Sequence, residues 1–531
     1  LRKAIESVLK QDYGKWELCI ADDASTKPHV RRTLQEFAQS DPRIRVVFRE
    51  TNGHISEASN SALELAGGEF SALLDHDDEI TSDALSSVVW ELNQHPDACL
   101  IYSDYDRIDD SGVPSDAFFK PDWNPDLLLS QNYICHLAVY RTEILRKIGG
   151  FRKELEGSQD WDLCLRVSEQ CRAGQIRHIP RILYHWRKHE DSASHNLSAY
   201  HYAVVAAKRA VTEHLAGMGR KATVVETRFE GWFRVRYAIE RSPKVSIIIC
   251  TRDRIDLLSP CIKSILEKTS YKDYEILIVD NSSREPRSGA FFDECRKSSR
   301  LRIIPIEGEF NYSALNNRAV AEAKGDVLCF LNNDTVAISE DWLTEMVSHA
   351  VRKEVGVVGA KLLYPDGRIQ HAGIVLGIGG FAAHVFTGLS GEAPGYMGRA
   401  QLIQNYTAVT GACMVVRKSV FTEVSGFNEH ELKIAFNDID LCLKIHTAGY
   451  RNLWTPYAVL YHHESASRGL DITPSQKKQA TQEADYFWSQ WADLVYNDPA
   501  YNPNLSLLRT DFGLAFPPRK PATPATPAAP R

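Results

Sequence analysis

The chain has no apolar run long enough to cross a bilayer. The nearest, Ala372 to Phe386, is broken by glycines and a histidine where a spanning helix needs about 18 continuous apolar positions. It has no CxxC pair and no zinc-finger spacing. Its eleven cysteines, an odd number, sit singly in apolar surroundings such as Cys19, Cys250, Cys329 and Cys442, and read as small buried hydrophobes in a reducing, cytoplasmic compartment. Excess positive charge is also missing. Lys and Arg number 62 against 69 Asp and Glu, a net −7, so no nucleic-acid backbone is expected as a partner. Single phosphate groups can still be held by local donors or a metal. Dinucleotide and Walker fingerprints are absent too: Gly373-Ile-Val-Leu-Gly377-Ile-Gly379-Gly380 lacks GxGxxG spacing and no GK[ST] occurs.

What remains is an ordinary globular composition over 531 residues, 44% apolar and 25% charged, with room for two to four domains of roughly 150 residues. Self-similarity narrows that range. Ser7 to Asp22 resembles Ser264 to Asp280 with one extra residue in the second copy, and Asn60 to Asp77 parallels Asn317 to Asp334. Gln131-Asn-Tyr133 matches Gln404-Asn-Tyr406. Gly150-Phe151 matches Gly426-Phe427, Asp160 to Leu165 matches Asp438 to Leu443, and Leu183-Tyr-His185 matches Leu460-Tyr-His462. Six ordered blocks with a nearly constant offset describe a duplicated domain. The expected domains are 1–241 and 242–500, followed by a Pro/Ala/Thr-rich tail over 501–531.

Within each copy short β-branched runs alternate with helical spacing. In the second, Lys244 to Cys250, Tyr274 to Asp280 and Asp326 to Leu331 read as strands, with helices over Leu257 to Lys268 and Asn311 to Ala323. Runs apolar on both faces imply an α/β fold with mostly parallel central sheets covered on both sides. The first copy has no counterpart of Lys244 to Asp253, so its sheet is expected to be incomplete, lacking the N-terminal strand.

Polar residues gather where the strands stop, the place where open α/β sheets bind ligands. Asp75-His-Asp77-Asp78 follows the apolar run Phe70 to Leu74, and Asn332-Asn-Asp334 stands at the same point of the second copy. Carboxylates spaced i,i+2 after a strand suit a hard divalent cation and a sugar hydroxyl, although an acidic turn or helix cap has the same composition. Asp22 and Asp280 close another strand, where a carboxylate accepts from a base or ribose, or forms an Asx turn. Asp160 and Asp438 open amphipathic helices, a position that fits both a cap and a general base. His185 and His462 end matched strands, as structural histidines or as imidazole ligands. Arg187, Lys188 and Arg468 follow them, as diphosphate contacts or surface charges.

These residues in this order resemble the family 2 glycosyltransferases of GT-A fold, and the likeness covers 1–500 as two tandem copies. The second copy's wording, with Gln370-His-Ala-Gly373 and Tyr461-His-His-Glu464, is similar to bacterial O-antigen and capsule enzymes, rhamnosyltransferase-like members among them. Asp75-His-Asp77 looks like the family's DxD motif. Asp160 and Asp438 look like its catalytic base, with Gln159 and Asn437 where a Glu usually precedes. The resemblance implies inverting transfer from a UDP-, GDP- or dTDP-sugar to a glycan or lipid-linked acceptor, with Mn²⁺ or Mg²⁺ as cofactor. Asp22, Asp75, Asp280, Asn332 and Arg252 are then expected to hold the nucleotide sugar, and Asp77, His185, Asp334 and His462 the metal. A lipid-linked acceptor implies peripheral association with the inner face of the cell membrane. Two alternatives stay open. A sugar nucleotidyltransferase would want a glycine-rich loop where Cys250-Thr-Arg-Asp-Arg254 stands, and one copy could be a binding scaffold beside a catalytic one.

Overall fold

The computed structural model describes residues 1–188, 197–463 and 473–519. The chain forms two compact units, Leu1–Val235 and Arg236–Arg531, so the junction lies six residues before the one expected at 241.

In the first unit, β1 (Leu18–Asp22) and β2 (Ile44–Phe48) make a parallel pair. A separate sheet holds β3 (Phe70–Ala72), β4 (Glu79–Ile80), β5 (Leu100–Ile108), β6 (Ala138–Arg141) and β7 (Ile176–Arg187), in the order β3-β6-β5-β7-β4. Strand β5 runs parallel to β7, and β6 runs antiparallel to both β3 and β5.

The second unit has one ten-stranded sheet. Its path is built from β8 (Val245–Thr251), β9 (Tyr274–Asp280), β10 (Leu301–Pro305), β11 (Val327–Leu331) and β12 (Thr335–Ala337). It continues through β13 (Val355–Leu363), β15 (Cys413–Arg417) and β16 (Arg451–His462), while β14 (Ile369–His371) pairs beside β13. The order is β10-β9-β8-β11-β15-β13-β16-β12. The four strands from β10 to β11 are parallel, and β15, antiparallel to its neighbours, begins the mixed half. Strand β8 is buried on both faces, with Val245, Ile247, Ile248 and Ile249 fully covered. The helix Ile255–Lys268 lays Leu258, Cys261, Ile262 and Ile265 on that core at i, i+3, i+4 and i+7 spacing. Burying each of the three aliphatic side chains, Leu258, Ile262 and Ile265, contributes about 2 kcal/mol.

By the repeat, β9 corresponds to β1 and β11 to β3. The strand between them, β8, is what makes the second sheet continuous. In the first unit no described strand joins β1 to β3, and the sheet stands in two pieces, as expected from the missing counterpart of Lys244 to Asp253. Leu18 and Cys19 on one side, Phe70 to Leu74 on the other, and Leu63, Val88 and Leu92 from helices line the cleft between the two pieces.

The expected tail begins later than 501. Tyr501, Leu505 and Phe512 are buried, and the Phe512 ring lies 4.6 Å from Phe386 and 4.9 Å from Tyr501. Asp498 anchors this stretch by accepting from Thr407 Oγ1 and the backbone N–H groups of Leu376 and Ala500. The apolar residues Leu505 and Phe512 supply the driving force that the Pro/Ala/Thr composition further on lacks. Residues 520–531 lie outside the described residues.

Candidate active sites

In the first unit, Asp75 to Asp78 leave the end of β3 and run across to β4, which pairs with β7. Strand β6 runs antiparallel to β3 with Ala72 opposite Val139. Continuing that register by three positions sets His136 beside Asp75. Ligand atoms of Asp75, Asp78 and His136 lie within 4.8 Å of one another. Asp78 is buried and accepts from Tyr184 Oη at 2.6 Å and the Arg187 backbone N–H at 2.7 Å. Burial pushes its carboxyl up to about 7 in spite of those bonds. Asp75 lies low in the cleft, hemmed by protein yet wetted, with 48% of its side chain exposed. Desolvation first, and the Asp77 charge second, raise it to about 6. The His136 imidazole stacks on Tyr184 at 4.5 Å, and burial lowers it to about 4, so it is neutral near pH 7 with a lone pair to give. Two carboxyls that resist ionising beside a neutral imidazole make a donor set that a divalent cation fits.

Asp160 stands in the first turn of the helix Gln159–Ser168 and lines the same cleft. Its Oδ2 accepts from Asn132 Nδ2 at 2.8 Å. Burial raises its pKa, opposed by His136 and by the Trp161 N–H and Asn132 bonds. The sequence-expected Asp75 and Asp160 are therefore brought to one cavity. Of the expected metal pair, Asp77 has His76 Nδ1 at 3.7 Å, while His185 Nδ1 meets Asp106 Oδ1 at 2.5 Å. Asp22 ends β1 in the separate two-stranded sheet, its carbonyl accepting from the Arg49 N–H. Arg187 and Lys188 are engaged by the protein itself. Arg187 binds the carbonyls of Asp77 and Asp109 and the Glu79 carboxylate, and Lys188 pairs with Asp116. Arg468 lies outside the described residues.

The second unit has the same strand ends with other side chains. Asp334 and His462 come together, Oδ1 to Nε2 at 3.3 Å, with Asn332 Nδ2 3.5 Å from the same nitrogen. Asp334 Oδ1 is buried without a hydrogen bond, an orphaned acceptor that a cation would satisfy. Asp438 opens the helix Asn437–Thr447, and its Oδ2 accepts from the Gly411 N–H at 2.7 Å. Asp280 Oδ1 accepts from the Ser283 N–H three residues on, at 2.9 Å. Arg252 is exposed in the loop after β8.

Four residues of these sites escaped the sequence reading: His136, Asn132, Asp106 and Lys120. The fully buried Lys120 ammonium donates to the carbonyls of Ser103, Ile134 and His136 and so fixes the backbone that carries the imidazole. His136 was hidden because it does not recur. The register of β15 with β11 puts Ala412 at its place.

The family model described as Glycosyl transferase family 2 matches residues 1–149 and 246–425. An uncharacterized protein, y4gI, of Sinorhizobium fredii is 50% identical over 519 residues, and O-antigen biosynthesis protein RfbC of Myxococcus xanthus is 40% identical over 519. Each match takes in 97% of this chain, which spans 57% and 40% of those proteins. Among solved structures, a mannosyltransferase from Pyrobaculum calidifontis in complex with GDP-Man and Mn²⁺ is similar at 16% identity and a TM-score of 0.35, over 48% of this chain and 65% of that one. No helix among the described residues is long and apolar enough to cross a membrane. The two matched segments fall one in each unit, over the strands that carry the acidic ends, and the chain belongs to glycosyl transferase family 2.

Proposed function

We propose that the two units are inverting glycosyltransferases that add sugars from nucleotide diphosphate donors to a growing bacterial surface polysaccharide. The observation that carries this reading is the meeting of Asp75, His136 and Asp160 in one cleft at the ends of β3, β6 and a helix. Asp75, Asp78 and His136 would hold a divalent cation in the first unit, with Asp77 beside them, and Asp334 with His462 in the second. A bound Mn²⁺ or Mg²⁺ supplies positive charge against that building on the leaving diphosphate. Asp160 takes the proton from the acceptor hydroxyl. Its raised pKa makes it a stronger base once ionised, and Asn132 fixes the carboxylate toward the cleft. The 40% identical O-antigen biosynthesis protein supports a polysaccharide acceptor, and we take that acceptor to be lipid-linked and met at the inner membrane face.

A second reading has its own support. Asn332 replaces a carboxylate and Asp438 is tied to the Gly411 N–H, which favours a second unit that binds nucleotide or glycan without turnover. Incubation with Mn²⁺ or Mg²⁺ and a panel of sugar nucleotides tests both. Diphosphate release stopped by EDTA, and lowered in part by Asp160→Asn and in part by Asp438→Asn, is the expected result if both units turn over; release abolished by Asp160→Asn alone is expected if only the first does. Full turnover in EDTA, or in Asp160→Asn, would overturn the proposed roles.

A further inference from the structure

We propose that Gln370 is a positioning residue: it selects the tautomer in which His462 can take a divalent cation. The inference rests on the reading of His462 as a cation ligand.

His185 and His462 occupy matched places in the repeat, but their Nδ1 atoms meet different partners. His185 Nδ1 lies 2.5 Å from Asp106 Oδ1. An ionised carboxylate only accepts, so Nδ1 carries hydrogen and donates, and the remaining nitrogen has one role open to it in the neutral ring. His462 Nδ1 lies instead 3.3 Å from Gln370 Oε1. An amide can present either end.

With the oxygen toward His462, Nδ1 donates and Nε2 keeps its lone pair. That lone pair has Asn332 Nδ2 at 3.5 Å and faces Asp334 Oδ1 at 3.3 Å, two acceptors that a cation would join in place of the amide. With the amide reversed, its NH₂ donates to Nδ1 and the ring hydrogen sits on Nε2. The imidazole then closes on Asp334 as a donor, and the pair is satisfied without metal.

His384 biases the choice. Gln370 Nε2 is 3.1 Å from His384 Nδ1, and the same Nδ1 is 3.1 Å from the Gln370 carbonyl oxygen. An unprotonated Nδ1 accepts from the amide NH₂ and holds Oε1 on His462. A protonated one donates to the carbonyl and favours the reversed amide. The two histidine tautomers are thereby linked through one side chain, which the stretch Gln370-His-Ala-Gly373 supplies from β14. Outer partners of this kind orient metal-bound histidines, and their loss typically costs about 10- to 100-fold in affinity.

The test is Mn²⁺ titration of the full chain by calorimetry, with ¹⁵N spectra of histidine-labelled protein, metal-free and with Mg²⁺. His462→Ala identifies the second-unit site. Gln370→Leu is expected to weaken that site about tenfold or more and to leave His462 as a mixture of tautomers. Gln370→Glu, an acceptor at both ends, is expected to fix hydrogen on Nδ1 and tighten the site. The ¹⁵N shift of an unprotonated Nε2 in the metal-free protein separates this from the effect of added charge. A site lost in His462→Ala but unchanged within about twofold in both Gln370 variants would overturn the role of Gln370 and leave the ligand reading standing. Mn²⁺ binding indifferent to His462→Ala would overturn both.

Discussion

The two units put the same strand ends to different electrostatic use. After β3 the first unit carries Asp75, Asp77 and Asp78. After β11 the second carries Asn332, Asn333, Asp334 and Thr335, one acid against three. In the first unit burial raises Asp78 to about 7 while Asp75 stays half exposed beside it, and a neutral imidazole from just before β6 completes the group. In the second, a single buried acid meets an imidazole from β16, held in turn by an amide. The helix acids diverge as well, Asp160 taking a side-chain amide and Asp438 a backbone N–H. Duplication preserved the backbone that delivers side chains to the cleft. It did not preserve the charge delivered.

Removing the helix acids tests whether that divergence reaches function. Asp160→Asn is expected to lower transfer by the first unit about 10²- to 10⁴-fold, read as product per enzyme at saturating donor. Asp438→Asn should do the same to a second, distinct product. Intact formation of every product in Asp438→Asn would turn the pair into one enzyme and one binding scaffold.

Stability should divide in the same way. Phe512→Ala is expected to destabilise the second unit by about 3 kcal/mol, seen in calorimetry as a lowered transition for that unit with the other unmoved. Equal loss in both would mean that the units do not unfold separately.

A pH difference follows from His178. The ring is buried, stacked on Tyr102, between Asp104 Oδ1 at 2.9 Å and Asp122 Oδ1 at 3.0 Å. Burial opposes its charge, but Asp104 and then Asp122 outweigh burial and raise it to about 9. The protonated ring therefore stabilises the fold fully below its ordinary value of about 6.5, and the contribution fades as pH rises through 9. The loss is at most about 3 kcal/mol. The sheet register sets Trp454, which carries no titrating group, at the matching place in the second unit, so urea unfolding at pH 6.5 and 9.5 should weaken the first unit only. His178→Gln should flatten that dependence.

The mildest exchange is at the strand ends themselves. Asn332→Asp should tighten Mn²⁺ in the second unit, and Asp75→Asn should loosen it in the first, each by about tenfold, or about 1.4 kcal/mol. Titration of both variants in parallel checks it. Failure of Asn332→Asp to bind more tightly would show that the imidazole and Asp334 alone set that site.

Much of this was legible in the chain. The strand endings at Asp22, Asp280, Asp75 and Asn332, and the helix acids Asp160 and Asp438, follow from patterns read over ten or fifteen residues, and the repeat located each a second time. The run Tyr501 to Phe512 was misread because three well-spaced buried side chains show no strong period. Arg187 was misread because its guanidinium partners, Glu79 and the Asp77 and Asp109 carbonyls, lie about 80 to 110 residues away.

By itself, then, the sequence determined where strands stop and that acids stand there, because apolar alternation and helical spacing are local properties of the chain. Only the tertiary structure decided which imidazole meets which acid. His136 reaches Asp75 because β6 runs antiparallel beside β3, so the residue just before one strand lies next to the residue just after the other. No local pattern records that pairing, since register is fixed by the packing of the whole sheet.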